Sequence, residues 1–561
     1  MFVYEIQGVQ NKYDEFTKPG LKVFHLQRIS STSYEESELM ADDRYIKLKS
    51  EIFTPEKMKA LSPAQIIAAA VSLGRLRGSH MKEWTVICNA IKNLSESSQY
   101  RISASQIGVT LYAIARSGNC GCAKDRFVVP VLKRFLQESN EWSPIDMGWV
   151  LYFLRRRESR SLASWHRTAG QLAYRFNERL GDMTGKQIAC ILSEFGYMKL
   201  SPNKAINGAL TALESRKKKL DAKTMCLLLG SFAKLRIYRT DFLFKVSPEI
   251  LFLISEPKKS TFRQVATILF HLSKLDWFNA AIVKAVLKRF DDSGEISDVD
   301  LAMIAYGLGR LGVGSCTATW TRIARELSER LESMSALNVS VIVSSFGKVG
   351  YADATLMESV LSHVRANIKA FTSRQTLTLL SGLMNCHMTH LSVPLPKNMQ
   401  VDHVTEFQLN KLRLNYSVSP IMAPRKISFL HSKIKDLLHA NGLNPPELNK
   451  QVGPVFVDAY FDLEGMPSAI LLLGASDVCK LNTGLLLGPT SWIVRYLDRV
   501  GIQVFSVHRE ALAKADSLAA IPGLERFGTT FNWCKRAPRL PFHFDHQNGK
   551  VSFSNSYLGF G

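Results

Sequence analysis

The sequence predicts a mostly α-helical chain, an α-solenoid of about nine helix-hairpin repeats followed by a small α/β module. Three observations predict it. One pattern of polar, apolar and small residues recurs nine times at intervals of 36 to 41 residues. That interval holds two helices and two turns. After Cys386 the pattern stops, and short apolar runs of strand length take over.

The units open as SPAQIIAAAVSLGRL, SASQIGVTLYAIARS, SPIDMGWVLYFLRRR, TGKQIACILSEFGYM, DAKTMCLLLGSFAKL, TFRQVATILFHLSKL, SDVDLAMIAYGLGRL, SALNVSVIVSSFGKV and TSRQTLTLLSGLMNC. They begin at Ser62, Ser103, Ser143, Thr184, Asp221, Thr261, Ser297, Ser335 and Thr372. Every start is Ser, Thr or Asp, whose side-chain oxygen accepts from the free N–H groups of a first helical turn. Three residues on stand Gln65, Gln106, Asp146, Gln187, Thr224, Gln264, Asp300, Asn338 and Gln375. Such groups reach back to the cap's own N–H, as a capping box or a close relative.

Counted from the cap, positions 4, 8 and 11 are almost always apolar, as in Ile66, Ala70 and Leu73. At 100° per residue they form a core stripe about 60° wide. Position 12 is small in seven units: Gly74, Ala115, Gly196, Ala233, Ser273, Gly309 and Gly347. A neighbouring helix is expected to approach closely there. Second helices follow, for example over Glu83 to Leu94, Asn203 to Arg216 and Ala318 to Leu331. Positions 5 and 6 are also small or apolar (Ala189, Cys190, Ala302, Met303). The first helix is therefore expected to be the inner one, covered on two sides and open only near its C-terminal end.

Position 13 holds Arg75, Arg116, Arg156, Lys234, Lys274, Arg310 and Lys348, with Tyr197 and Asn385 as exceptions. At the chain's average frequency about one of these nine positions would be basic. Cations in a last turn complement the helix dipole, which is one reading of the column. The other reading is a basic rail that binds RNA. Position 9, one turn earlier, holds Tyr112, Tyr152, Phe270 and Tyr306, each four residues before a position-13 cation. An aromatic face beside a cation stacks a base and pairs with its phosphate. The same four rings also fit a core role. Both columns vary little in type, so sequence-tolerant binding is expected rather than a base-by-base code.

Charge supports a polyanionic partner. Lys and Arg total 71 against 49 Asp and Glu, a net charge of +22, which favours nucleic acid or an anionic membrane face. No apolar run approaches bilayer length, so RNA is the expected partner, with no membrane. Nine scattered cysteines do not form a disulfide framework, and a reducing compartment is expected. The start MFVYEIQGVQNKYDEF resembles neither a secretory signal nor a standard mitochondrial presequence. GLGRLG at Gly307 to Gly312 fits G-x-G-x-x-G literally, but it ends a repeat helix with no strand before it. Cys120-x-Cys122 and Cys386-His387-x-x-His390 lack a second pair at ligand spacing. No Walker loop or G-x-S-x-G appears. No cofactor, metal or small-molecule substrate is expected.

These signals divide the chain into an N-terminal extension (1–60), the repeat array (61–386), a linker (387–425), the α/β module (426–515) and a C-terminal extension (516–561). The linker carries VPLPKNMQ and has no helical period. The module opens with an amphipathic helix, Lys426 to Gly442, ending at a glycine cap. VFVDAYF, AILLLG, the helical TSWIVRYLDRVG and IQVFSVH follow. This order, with LNTGLLLGPTSWIVRYLDRVGIQVFSVHREAL, resembles the RAP domain over roughly Lys426 to Leu512. The repeats before it are similar to those of FASTK-like, octotricopeptide and heptatricopeptide proteins.

The resemblance implies RNA metabolism in the mitochondrion, or in the chloroplast, where such proteins also work, with organellar RNA, including ribosomal RNA, and ribosomal or other ribonucleoprotein proteins as partners. It also implies a fold related to PD-D/E-x-K nucleases. Such a site needs two or more carboxylates around a metal. Asp458 matches the first acid, but Leu471, Leu472 and Leu473 fill the second strand, and Trp492 stands where the following helix often begins with a lysine. Catalysis is not expected. Asp458, Arg495, Arg499, His508 and Arg509 are expected at the module's edge, where they would touch RNA, Arg495, Arg499 and Arg509 above all, or serve as ordinary surface charge. The expectations are an RNA-holding protein, then a permanent subunit of the mitochondrial ribosome, and third a RAP-type endoribonuclease.

Overall fold

A computed structural model describes residues 19–31, 39, 41–76, 80–97, 102–118, 125–138, 141–156, 163–216, 219–386, 427–452, 455–479, 486–499, 501–518, 542–544 and 551–553. They fall into two compact units, Met1–Leu308 and Gly309–Gly561. The fold is mostly helical, with about 20 helices in tandem and a small four-stranded mixed sheet near the C-terminus.

The first unit opens with α1 (Pro19–Ser31), α2 (Asp43–Ile52) and α3 (Pro55–Lys59), so the residues read from sequence as an extension contain helices. The repeats then alternate. Inner helices are α4 (Pro63–Arg75), α6 (Ala104–Arg116), α8 (Pro144–Arg156), α10 (Gly185–Met198), α12 (Ala222–Leu235), α14 (Phe262–Lys274) and α16 (Asp298–Arg310). Outer helices are α5 (Met81–Glu96), α7 (Asp125–Gln137), α9 (Ala163–Glu178), α11 (Asn203–Glu214), α13 (Thr240–Ser255) and α15 (Ala280–Asp291). Inner helices pack on inner and outer on outer: α1 on α4, α4 on α6, and so on to α14, with a parallel row from α5 to α15.

The caps explain where each inner helix begins. At Ser62, Ser103, Ser143, Thr184, Asp221, Thr261, Ser297, Ser335 and Thr372 the side chain accepts from the backbone N–H three residues on. Gln65, Gln106, Asp146, Gln187, Gln264 and Gln375 return the bond to the cap's own N–H. Ser297 instead donates its hydroxyl to Asp300 at 2.7 Å.

Small residues at position 12 set the spacing of the stack. A Cβ on Gly74 would stand 2.7 Å from that of Ala113, and one on Gly196 would stand 3.3 Å from that of Lys234. Gly307, in the literal G-x-G-x-x-G run, lies against the Leu269 side chain in the same way. It is a packing glycine.

The second unit continues the pattern with α17 (Thr317–Glu329), α18 (Ala336–Val349), α19 (Ala354–Ala366) and α20 (Ser373–Asn385). Gly309 lies against Ser345, and a Cβ on Gly347 would meet the Gly382 carbonyl at 2.6 Å. The α/β module comprises α21 (Phe429–Ala440), β1 (Glu447–Val452), β2 (Val455–Leu463), β3 (Met466–Leu473), α22 (Gly488–Arg499), β4 (Gln503–His508) and α23 (Arg509–Lys514). The sheet order is β1-β2-β3-β4, antiparallel except for the parallel β3–β4 pair, which α22 connects. Alternating side chains of β3 divide between two cores, whereas the odd-numbered residues of β2 face one core before Asp458 and the other after it. Ala459, Phe461, Ile470 and Leu472 bury with Ile434 and Leu438 of α21 and Leu512 of α23. Val455, Val457, Ala469 and Leu471 bury with Trp492, Ile493 and Leu497 of α22.

Strand β1 (ELNKQV) was not expected, because it has no apolar alternation. Its half-exposed side chains suit the sheet edge it occupies. A short pair, β5 (Phe542–Phe544) and β6 (Val551–Phe553), follows. Among the described residues, no helix is long and apolar enough to cross a membrane. The linker, Cys120, Cys122, His387 and His390 lie outside the described residues.

Candidate nucleic-acid interface

Each inner helix buries its core stripe and keeps one face open. On α10 the exposed residues are Lys186, Cys190 and Tyr197, with half-buried Glu194 in line. On α14 the line is Arg263, Thr267, Phe270 and Lys274. These are positions 2, 6, 9 or 10, and 13, which fall within a band of roughly 80° on α10 and 60° on α14 on a helical wheel. The expectation that only the C-terminal end would be open is therefore wrong. Position 5, as at Ala189, is buried beside the open band, and position 6, as at Cys190, lies within it.

The full-length opening reveals a second row of cations. Position 2 carries Lys186, Lys223 and Arg263 in three consecutive units, all exposed. Arg263 also pairs with Asp300 of α16, much as Ser105 of α6 donates to Asp146 of α8 at 2.9 Å. The position-13 row holds exposed Arg75, Arg116, Arg156 and Lys274 and half-buried Lys234. Eleven residues separate the rows along each helix, about 16 Å.

The position-9 rings lie between those rows, nearer the second. Tyr112, Tyr152, Phe270 and Tyr306 are all half-buried, neither core nor free plates. They pair across neighbouring repeats: Tyr112 with Tyr152 at 5.2 Å between centroids, and Phe270 with Tyr306 at 5.0 Å. Lys274 stands 4.1 Å from the Phe270 centroid and Arg156 5.6 Å from that of Tyr152.

The densest cluster centres on a residue that broke the sequence pattern. Tyr197 lies between the Arg155 guanidinium, 4.0 Å from its centroid, and the Lys234 ammonium, 3.2 Å away. Arg155 also reaches the Tyr152 ring at 4.8 Å and the Glu194 carboxylate at 3.1 Å. Gly196 admits Lys234 this closely, because a side chain there would press on the lysine stem. Burial raises the Glu194 carboxyl above its usual range, against the pull of Arg155 and Lys234. Burial, then the charges of Lys274 and Lys234, push the nearby His271 imidazole down to about 4. The patch thus gathers positive charge from α8, α12 and α14 around Tyr197 of α10, held by cation–π contacts.

In the second unit the column takes a different role. Arg310 and Lys348 are half-buried. The Arg495 guanidinium of α22 donates to the Lys348 carbonyl at 2.6 Å, and its Nε would lie 3.1 Å from a Cβ on Gly350. Gly488, at the start of α22, sits against the Gly309 carbonyl and the Lys348 stem. Burial, then the charge of Arg310, push Lys348 down to about 8, and burial pushes Arg495 down to about 10. Lys348 and Arg495 were expected to face RNA. They form instead the seam where the module rests on the last repeats. Arg509 is exposed, with its guanidinium near Gly474. The Arg499 side chain lies outside the described residues.

Asp458 is not at the module's edge. It is 1% exposed; its Oδ2 accepts from the Leu472 N–H at 2.8 Å, and its Oδ1 lies 3.2 Å from His431 Nε2. His431 Nδ1 in turn accepts from the Ser428 N–H at 3.1 Å. The acid ties β2 to β3 and to α21, which satisfies an otherwise costly buried charge. Among the described residues, no group of three or more His, Cys, Asp or Glu side chains is placed to hold a metal ion.

A family model described as RNA-editing substrate-binding complex 6 protein matches residues 203–390, about a third of the chain. The match spans α11 to α20 and so includes Lys234, Phe270, Lys274, Tyr306, Arg310 and Lys348. No curated protein matches the chain.

Proposed function

We propose that this chain holds single-stranded RNA, without catalysis, as a subunit of a mitochondrial ribonucleoprotein. The observation that carries the reading is the open band of the first unit. Lys186, Lys223 and Arg263 line one side on α10, α12 and α14, Arg116, Arg156, Lys234 and Lys274 line the other from α6 to α14, and half-buried Tyr112, Tyr152 and Phe270 lie beside this second row. Cations on both flanks of an aromatic floor suit a strand whose phosphates run along the edges and whose bases face the rings. The rings already pair with one another and with cations, which favours sequence-tolerant contact over base readout. The matching family's description names RNA-editing substrates and a complex, in line with RNA and protein partners. The mitochondrial setting rests on the resemblance to RAP-containing repeat proteins.

Permanent membership of the mitochondrial ribosome is the finer alternative; co-sedimentation with ribosomal subunits that survives high salt would favour it. An endoribonuclease is disfavoured because both Asp458 oxygens are engaged within the module.

The rail is tested by Arg116→Gln, Arg156→Gln, Lys234→Gln and Lys274→Gln combined. With single-stranded RNA the slope of log affinity against log salt should shrink by about three, near 0.7 per lost phosphate contact. An unchanged slope and affinity would overturn the reading.

A further inference from the structure

Outer helix α13 presents a surface that the RNA reading does not use. An outer helix normally turns its apolar side inward and a polar side to water. Here the inward side is complete, with Phe242, Leu243, Ile250, Leu253 and Ile254 buried. Yet Phe244 is 65% exposed and Phe252 42% exposed, with exposed Pro248 midway between them. The three residues are four apart and share one line about 12 Å long. The neighbouring outer helices differ: α11 exposes Lys204, Asn207, Thr211 and Glu214, and α15 exposes Lys284 and Lys288. Pro248 also gives the Phe244 carbonyl no N–H within the helix, an arrangement costing about 3 kcal/mol in helix interiors. Helix stability does not explain this face.

The rim supplies the second observation. Lys219 stands 5.4 Å from the Phe252 centroid, Lys245, Lys258 and Lys259 are exposed, and Lys284 and Lys288 project from α15, which packs against α13. Glu214 offsets Lys245 through a 2.7 Å ion pair, exposed Glu256 and half-buried Glu249 also border the line, and the six lysines outnumber these three acids. On the inner band rings and cations alternate; here ring, proline and ring form an unbroken apolar line with the cations outside it. That is the anatomy of a protein interface, an apolar centre with a charged rim.

We propose that the α13 face docks an acidic amphipathic segment of a partner protein, its apolar side chains on Phe244, Pro248 and Phe252 and its carboxylates on the surrounding lysines. The test uses the full chain and a fluorescent helical peptide with leucines on one face and glutamates on the other. A counterpart with lysines in place of the glutamates is the control. The glutamate peptide should bind and the lysine peptide should not. Phe244→Ser with Phe252→Ser should weaken glutamate-peptide binding about tenfold or more and leave single-stranded RNA affinity unchanged. Lys284→Glu with Lys288→Glu, which leaves the helix faces intact, should weaken it severalfold. Equal binding of both peptides, or full binding by the serine variant, overturns the proposal. So does a self-association of the wild-type chain that the serine variant abolishes, or a loss of RNA affinity in that variant. The RNA rail is tested by other residues, so the two readings fail separately.

Discussion

Replacing Lys348 with Met tests the seam between the last repeats and the α/β module. Methionine keeps a flexible, unbranched stem in the same space and removes the charge. In the folded chain burial and the nearby Arg310 push the lysine down to about 8 from an ordinary 10.5. Below pH 8 the group is charged in both folded and unfolded chains, and the cost of burying it is fully present. Between about 8 and 10.5 the unfolded chain binds more protons, so stability rises with pH. Above 10.5 the cost is gone. That gap corresponds to about 3 kcal/mol. Urea unfolding of both proteins from pH 7 to pH 10 measures it, with hydrogen exchange of peptides spanning α18 and α22 assigning the transition to the second unit. Lys348→Met should be more stable at pH 7 by about 2–3 kcal/mol, and that advantage over the wild type should shrink as pH rises from 8 to 10. A methionine variant less stable than wild type at pH 7, or an advantage that does not shrink between pH 8 and 10, would refute the buried-lysine reasoning.

Arg495→Ala removes the charged donor to the Lys348 carbonyl and should cost the second unit about 1.5–3 kcal/mol, seen as faster proteolysis of the module. Asp458→Ala strips both the Leu472 N–H and His431 of their buried acceptor; the module should lose about 3–5 kcal/mol in thermal melts, while RNA affinity measured at low temperature holds. Ser143→Ala breaks the paired bonds with Asp146 and should cost about 1 kcal/mol in the same melts. Gly74→Val would drive a branched side chain into Ala113, already 2.7 Å from a bare Cβ. It should cost about 1–3 kcal/mol or more, read as a lower urea midpoint.

Much of the repeat fold was legible because its signals are local. The cap and its partner lie three residues apart, and the core stripe and the small position 12 follow within one helix, so each unit announces itself. The position-13 cations were legible for the same reason. The open band was not, because which flank stays free depends on where the outer helix docks. Lys186, Lys223 and Arg263 recur in only part of the array, where Ala64, Ser105 and Ile145 hold the same position elsewhere, so no column stood out. Tyr197 and Arg155 were passed over because they interrupt their columns. Arg155 occupies a position that is small in seven of the nine units, and the contact uses that departure to span two repeats. Lys348 and Arg495 are 147 residues apart, and nothing local to either marks the seam. The module's strands were readable where both faces are buried, in β2 and β3, and unreadable in β1, which has only one neighbour.

Photocrosslinking of 4-thiouridine-substituted single-stranded RNA to the full chain, followed by mass mapping of the attached peptides, tests the central claim most directly. Adducts should fall on the open band of α6 to α14, at or beside Tyr112, Tyr152, Tyr197 and Phe270. Adducts confined to the outer helices or to the α/β module would contradict it.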